Sequence, residues 1–430
     1  MVKIYPNPKQ KEHKYMRLKR IVFIGVILIL MAGSFVTGYG LRLVRADGDI
    51  ASWQSFWQVL SLVHNHFVEK TDDTKLMYGA IGGMLKALND PYTRFMEPDV
   101  FKEMREEQEG HFDGVGMVVE MSDDVLKVVS PIAGSPADKI GLKSGDQILK
   151  IDGKETKDMD LKTAVSRIRG KAGTKVTMTI MRSGWENPKD FVLARSVIQL
   201  KSVDYRMLDD SIGYAYLKVF NEKSEPELTE AIEKLQAKGM KAMVLDMRND
   251  PGGLLSVAIE IAAHFIDEGM VVSVKERGKK RDAYVIVRDG DRRVAEYIED
   301  YDGKKNIKII DTLKSKKIDI PLVVLINEGS ASASEIVAGA IQDMGRGKVI
   351  GTRSFGKGSV QSVYPLPDGS GLTITTAKYQ TPKGRDVSRD KIVPDIEVQL
   401  TEDDIKKRKD TQLEKALEVL RAGQPLKKAS

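Results

Sequence analysis

The sequence predicts a multidomain α/β protein with helical N- and C-terminal segments and one transmembrane helix near its start. Three observations predict it. From residue 211 onward strand-like and helix-like runs alternate: a strand at 212–219, a helix at 225–237 and a strand at 242–247, the rhythm of an α/β core. Before that core, residues 110–198 form a glycine-punctuated module rich in strand-forming residues. Ahead of both, residues 21–39 are an uncharged apolar run behind a basic tail.

The basic tail accounts for the whole charge of the chain. Residues 1–20 hold seven Lys or Arg and one acid, a balance equal to the formal net charge of +6 for all 430 residues. The remainder is neutral in sum, so the basic pI is no argument for nucleic acid as a partner. The 19 residues after the tail approach the ~20 needed to span a bilayer. Cations on their N-terminal side keep residues 1–20 cytoplasmic and send the bulk of the chain across. Leu41, Arg42, Leu43 and Arg45 come next and offer no small-x-small cleavage pattern, so the run reads as an uncleaved signal anchor.

Residues 50–106 read as a helical region, with Trp53, Phe56, Trp57, Leu60 and Val63 at helical intervals; such a stripe predicts packed core. Between 272 and 317 lies a charged stretch. In it, 275–281 reads as a solvated hairpin turn and 299–303 as a loop. Residues 401–422 read as an amphipathic helix ended by Gly423 and Pro425, packing on the core or on a second copy of the chain.

The chemistry is concentrated between 321 and 395. A β-branched strand, 322–326, breaks at Asn327-Glu328-Gly329 and opens into a helix through Ser330-Ala331-Ser332-Ala333-Ser334-Glu335-Ile336. This puts Ser332 on a strand-to-helix turn, beside N–H groups that a helix start leaves unpaired. Lys357 lies between two glycines, where backbone can approach closely, and a desolvated neutral lysine can activate a serine. Two other readings compete. Ser332 to Glu335 also fits a capping box. Gly351 to Lys357 matches a phosphate loop, but Gly358 stands where magnesium chemistry needs Ser or Thr. Val360, Val363 and Tyr364 then read as extended chain, whereas a phosphate loop must open a helix. None of the five histidines falls within 326–395, and His264, inside the apolar run 257–266, reads as a packed helix residue. With no cysteine, thiol catalysis, thiolate metal sites and disulfides are excluded. No ligand-spaced cluster points to a metal or cofactor.

Residues 321–395 resemble the carboxy-terminal processing (tail-specific) serine proteases. Their Ser-Ala-Ser-Ala-Ser-Glu-Ile and Phe-Gly-Lys-Gly-x-Val-Gln motifs stand here at 330–336 and 355–361, with 25 residues from Ser332 to Lys357. The resemblance implies Ser332 as nucleophile, Lys357 as general base and Gln361 as the side chain that orients the lysine. Residues 246–253 resemble the family's Asp-Leu-Arg-Asn-Asn-Pro-Gly-Gly, with Met247 and Asp250 as departures. The implied oxyanion hole pairs the amides of Gly252 and Ala333, on a crotonase-like α/β core over 199–400. Residues 90–96 resemble an Asp-Pro-His-Ser segment, with Tyr92 and Thr93 as departures to which no chemistry attaches.

Residues 112–119 and 135–153 resemble a PDZ domain, placed at 110–198. Its loop of Gly114, Val115, Gly116 and Met117 would offer N–H groups to a peptide's terminal carboxylate, with Leu161–Ile168 lining the groove. Arg169 corresponds to an arginine that in relatives couples this module to the protease site; it and Arg167 also fit solvated helix-end cations.

The expectation is a membrane-anchored, extracytoplasmic serine endopeptidase that cleaves C-terminal regions of exported proteins through an acyl-enzyme. Its partners would be protein or peptide substrates with free apolar C-termini, the membrane, and a second copy of itself. Two rivals are a catalytically silent PDZ-bearing scaffold or chaperone, and an acyl-CoA enzyme on the same fold. Intact Ser332, Lys357 and Gln361 argue against the first; an anchor and a PDZ module argue against the second.

Overall fold

The computed structural model describes residues 50–122, 124–208, 211–278, 282–289, 292–301, 304–313 and 317–422. The basic tail, the expected membrane helix at 21–39, and the terminal Gly423 and Pro425 lie outside the described residues. Among the described residues no helix is long and apolar enough to cross a membrane.

The chain divides into two compact units at Ala80. The first contains helix α1 (Ile50–His66), and helix α2 (Asp73–Lys86) begins within it. Trp53, Phe56 and Trp57 meet edge to face along α1. The expected core burial is corrected here: Trp53, Trp57 and Leu62 are half exposed or more. Helical periodicity marks an apolar face without saying what covers it.

In the second unit, β1 (Arg94–Met96) and α3 (Pro98–Glu109) precede the PDZ-like module. The module comprises β2 (His111–Gly114), β3 (Met117–Ser122), β4 (Val125–Pro131), α4 (Pro136–Lys139), β5 (Gln147–Ile151), β6 (Lys154–Glu155), α5 (Leu161–Ile168), β7 (Lys175–Met181), β8 (Lys189–Ala194) and β9 (Ser196–Gln199). Five of these run β3-β4-β5-β7-β8 in one sheet with β6 beside β5, while β2 and β9 pair separately and close the module at its two ends. Leu126, Val128, Ile148, Ile151, Val176, Met178 and Ile180 give it a core of its own, capped by Ala164 and Ile168 of α5.

The α/β core is a six-stranded sheet of β10 (Val203–Met207), β11 (Ile212–Leu217), β12 (Ala242–Asp246), β17 (Leu322–Ile326), β18 (Lys348–Gly351) and β21 (Ile396–Glu397), in that order, parallel except for β10. Every residue of β12 and β17 is buried because both faces are covered, the usual state of a parallel strand. Met243, Leu245, Val324 and Ile326 face helices α6 (Ser224–Ala237), α7 (Leu255–Ala262) and α8 (Ala333–Asp343). Ala242, Val244, Val323 and Leu325 face Ala416 and Leu420 of the last helix, Thr411–Ala422. The segment expected as one helix over 401–422 is two, Glu402–Lys406 and Thr411–Ala422, and the second packs on its own core.

A second sheet runs β1-β20-β13-β14-β15-β16, with β19 (Ser359–Pro365) on β20 (Gly371–Gln380). The charged stretch supplies β13 (Gly269–Glu276), β14 (Asp282–Asp289), β15 (Arg292–Tyr301) and β16 (Lys304–Leu313) as an antiparallel meander. Residues 299–301, expected as loop, are the end of β15, where Tyr301 pairs with Lys304.

Candidate active site

Strand β17 ends at Asn327, whose side chain turns the chain: its Oδ1 accepts the N–H groups of Asn249 and Gly329 at 2.8 and 3.1 Å. The next three serines have different fates. Ser330 is buried and donates to the Met247 carbonyl at 2.8 Å; Ser334 is buried and donates to the Asp250 carbonyl at 2.9 Å. Alternation along the turn leaves the serine between them, Ser332, half-buried and facing outward. It has φ +55° and ψ −112°, a conformation that costs a side-chain-bearing residue about 1–3 kcal/mol and that survives only where its surroundings impose it. Glu335 closes a capping box by accepting the Ser332 N–H at 2.8 Å, while the hydroxyl forms no full cap hydrogen bond. The hydroxyls of Ser330 and Ser334 are spent as donors on main-chain carbonyls, whereas Ser332 Oγ only faces the Glu335 N–H across the capping box and donates to nothing among the described residues.

Glu335 reaches further than its own helix. Fully buried, its Oε2 accepts the N–H of Lys357 (3.1 Å) as well as that of Ser332, and its Oε1 accepts Ser354 Oγ (2.6 Å) and the Gly356 N–H (2.7 Å). Tyr379 Oη adds a bond at 3.2 Å. The backbones bearing Ser332 and Lys357 therefore meet on one oxygen atom. Sequence reading gave Glu335 only a capping role; the hint was its place at the end of the serine motif, ahead of a glycine loop rich in N–H donors. In Glu335→Gln an NH2 group would oppose at least one of these donors. Losing a single bond to a charged acceptor costs about 1.5–3 kcal/mol. A clear fall in the urea midpoint is expected, and an unchanged midpoint would refute the tie.

Lys357 is half-buried, and burial pushes its amine below the ordinary lysine range; Glu335 opposes this and Arg94 reinforces it. Its ammonium lies over the Tyr92 ring, 5.2 Å from the centroid, and no hydrogen bond joins it to Ser332 Oγ. The Tyr92 position, to which sequence reading attached no chemistry, is thus the lysine's resting contact. Thr93 holds that loop in place, accepting the Thr375 N–H at 3.0 Å and donating to Asp90 at 2.6 Å. Gln361 donates to Ser359 Oγ and Thr375 Oγ1 at 2.9 and 3.2 Å, on the same strand pair but not to the lysine.

Of the two amides expected to form an oxyanion hole, Ala333 opens α8 and its N–H has no acceptor among the described residues. Gly252 lies against it, but its N–H donates to Asp250 Oδ1 at 2.8 Å. The donor left on this turn is the next one. Phe220 bonds to the Gly252 carbonyl and the Leu254 N–H on either side of Gly253, so the Gly253 N–H points away, without an acceptor among the described residues.

In the PDZ-like module the N–H groups of Val115 and Gly116 have no acceptor among the described residues. Gly116 has φ +75°, and a Cβ there would lie 2.3 Å from Ser135 Cβ, so only glycine fits. Gly114 ends β2, and Met117 opens β3 beside exposed Val118. Arg169 comes directly after α5; its guanidinium pairs with Glu106 of α3 at 3.2 Å and lies 4.7 Å from the Phe112 ring centroid. It links the module to α3 rather than to Ser332 or Lys357. His264 is buried with Nε2 near Thr229 and Glu225, a packed residue outside the site. Among the described residues no cluster could hold a metal ion.

Comparison with known proteins matches residues 211–398 to peptidase family S41, 127–182 to a PDZ domain and 44–100 to the activating protease CtpB N-terminal domain. The chain is 41% identical over 382 residues to the carboxy-terminal-processing protease of Bartonella bacilliformis, covering 88% of this chain and 81% of that one. The chain belongs to the carboxy-terminal-processing serine proteases of family S41. The carboxy-terminal processing protease CtpA of Bacillus subtilis is 35% identical over 390 residues, 89% of this chain and 78% of its own. Among solved structures, the photosystem II D1 C-terminal processing protease is 29% identical and covers 85% of this chain and 90% of its own, with a TM-score of 0.43. The protease is thus a mixed α/β enzyme with a PDZ domain, as expected from its motifs.

Proposed function

We propose that this protease is anchored by residues 21–39, with its catalytic part on the extracytoplasmic side, and that it cleaves the C-terminal regions of exported proteins through an acyl-enzyme on Ser332. The observation that carries the site assignment is the convergence of the Ser332 and Lys357 N–H groups on Glu335 Oε2. In the working geometry the Lys357 amine leaves the Tyr92 ring for Ser332 Oγ and takes its proton as the oxygen bonds to the scissile carbonyl carbon. Gln361, one residue beyond the irregularity in the β19–β20 register, orients the amine. The N–H groups of Ala333 and Gly253 receive the oxyanion. The C–N bond then breaks as Lys357 returns the proton to the leaving amine. A water molecule, deprotonated by the same lysine, releases the acyl group and restores the serine. Hydrolysis of a tail peptide by the full chain in detergent, with products read by mass spectrometry, tests this; an intact peptide would leave the silent-scaffold reading. Accessibility of the catalytic part to a protease added outside intact cells stripped of wall tests the topology.

Substrates are engaged, in this reading, by a free C-terminus at the Val115 and Gly116 N–H groups, with Met117, Val118 and α5 beside the last apolar side chain, and Arg169 passing occupancy of the module to α3. An unblocked peptide with an apolar end should bind the Ser332→Ala protein better than its amidated copy. The difference is about tenfold or more, since charge-assisted hydrogen bonds of ~1.5–3 kcal/mol are lost. Equal affinities in a titration would rule out C-terminal recognition.

A further inference from the structure

The turn that faces the nucleophile carries a buried acid to which the hydrolytic steps assign no part. Asp250 is fully buried, and no cation pairs with it among the described residues. Its Oδ1 accepts the Gly252 N–H at 2.8 Å, whereas its Oδ2 has no hydrogen-bond partner among the described residues. Burial pushes the carboxyl well above the usual carboxylate range, while the Gly252 N–H it accepts pulls the other way. Its main-chain carbonyl is gripped from the other side by the Ala331 N–H at 3.0 Å and Ser334 Oγ at 2.9 Å. Asp250 is therefore joined at once to the glycine turn and to the nucleophile turn.

What it holds is the Pro251–Gly252 peptide, on one side of Gly252; the Gly252–Gly253 peptide, which carries the Gly253 N–H, is held at its carbonyl by the Phe220 N–H at 3.0 Å. Gly252 has φ +94°, and a Cβ there would lie 2.6 Å from Ala331 O, 2.8 Å from the Ala333 nitrogen and 2.8 Å from Ser332 Cβ. Such a bare peptide packs against the nucleophile but has no side chain to lock it. With its N–H drawn inward to Asp250 and its carbonyl bonded to Phe220, the next N–H along the chain, on exposed Gly253, faces outward. We propose that Asp250 is a positioning residue for hydrolysis: its carboxyl fixes the N–H side of Gly252 as Phe220 fixes the carbonyl side, and the two together keep the Gly253 N–H aimed, with that of Ala333, at the oxyanion. This rests on the Ser332 reading above.

The test compares the full chain in detergent as wild type, Asp250→Asn, Asp250→Ala and Ser332→Ala on one tail peptide, with thermal unfolding of each and inhibition by a peptide aldehyde, whose adduct with serine presents an oxyanion. Asparagine keeps an acceptor oxygen of the same reach for the Gly252 N–H, so kcat should stay within about threefold of wild type. Alanine frees the Gly252 peptide. A transition-state bond then weakens without loss of ground-state binding, so kcat should fall about 10–100-fold with KM within twofold. Aldehyde inhibition should weaken by the same factor as kcat. A wild-type kcat in the alanine variant, a loss confined to KM, or an asparagine variant as impaired as alanine overturns the proposal. If the alanine variant does not fold, asparagine decides alone, and a kcat loss beyond tenfold overturns it. An active Ser332→Ala protein would instead overturn the parent reading.

Discussion

Ser332→Ala is expected to remove peptide hydrolysis, by a factor on the order of 10⁴ or more, because the oxygen that forms the acyl bond is gone and no neighbour can replace it. Ser330 and Ser334 are two residues away on either side, but both are buried and committed to main-chain carbonyls. Stability should change little. The φ of +55° is borne by the backbone whether serine or alanine occupies it, and the Glu335 bond to the residue's N–H needs no hydroxyl. A lost N-cap hydroxyl costs about 0.5–2 kcal/mol at most. Initial rates and thermal unfolding of the same preparation separate the two effects. Turnover above a tenth of wild type would sink the nucleophile assignment, and a collapsed melting temperature would reassign Ser332 to structure.

Lys357→Arg and Lys357→Ala should be equally inactive, and wild-type activity should climb with pH. Burial disfavours the charged amine, Glu335 partly restores it, and Arg94 acts with burial; the net effect is a value below the ordinary 10.5. A base must be unprotonated, so activity is low at acid pH and rises as pH passes through the depressed value, earlier than an exposed lysine would allow. Arginine keeps its proton near neutrality and cannot serve. In the resting geometry the amine lies over Tyr92, a contact that favours its charged form. The pH profile of kcat/KM checks the sign. Appreciable turnover by the arginine variant would show that position 357 supplies charge rather than a base.

Much of the fold was legible because its signals are local. Strand β17 and helix α8 announce themselves by β-branching and by the break at Asn327 to Gly329. The PDZ module announces itself by the glycine loop of 112–119 followed by the block 135–153. Misreadings arise where the deciding neighbour is distant in sequence. The stripe of Trp53 and Trp57 shows that α1 has an apolar face, yet periodicity is silent on what lies opposite it. Glu299, Asp300 and Tyr301 look like loop, but Asn306, Lys305 and Lys304 complete their ladder from across the hairpin. Gln361 carries a motif position, while its hydrogen bonds are set by Thr375 on the next strand.

By itself the sequence determined which residue types stand on the turns: a serine between two others at a helix start, a lysine between glycines, and the absence of cysteine and of nearby histidine. Those are covalent facts, and they limit the chemistry before any folding. Only the tertiary structure decided which serine is free, because that depends on Met247 and Asp250 presenting carbonyls to Ser330 and Ser334. It also decided which glycine N–H remains free, through Asp250 on one side and Phe220 on the other. And it made Glu335 a junction rather than a cap, by bringing the backbone of residues 354–357 within hydrogen-bond reach of a carboxylate about twenty residues earlier in the chain. A hydrogen bond acts over about 3 Å and is indifferent to chain separation, so its partners become visible only once distant segments have packed together.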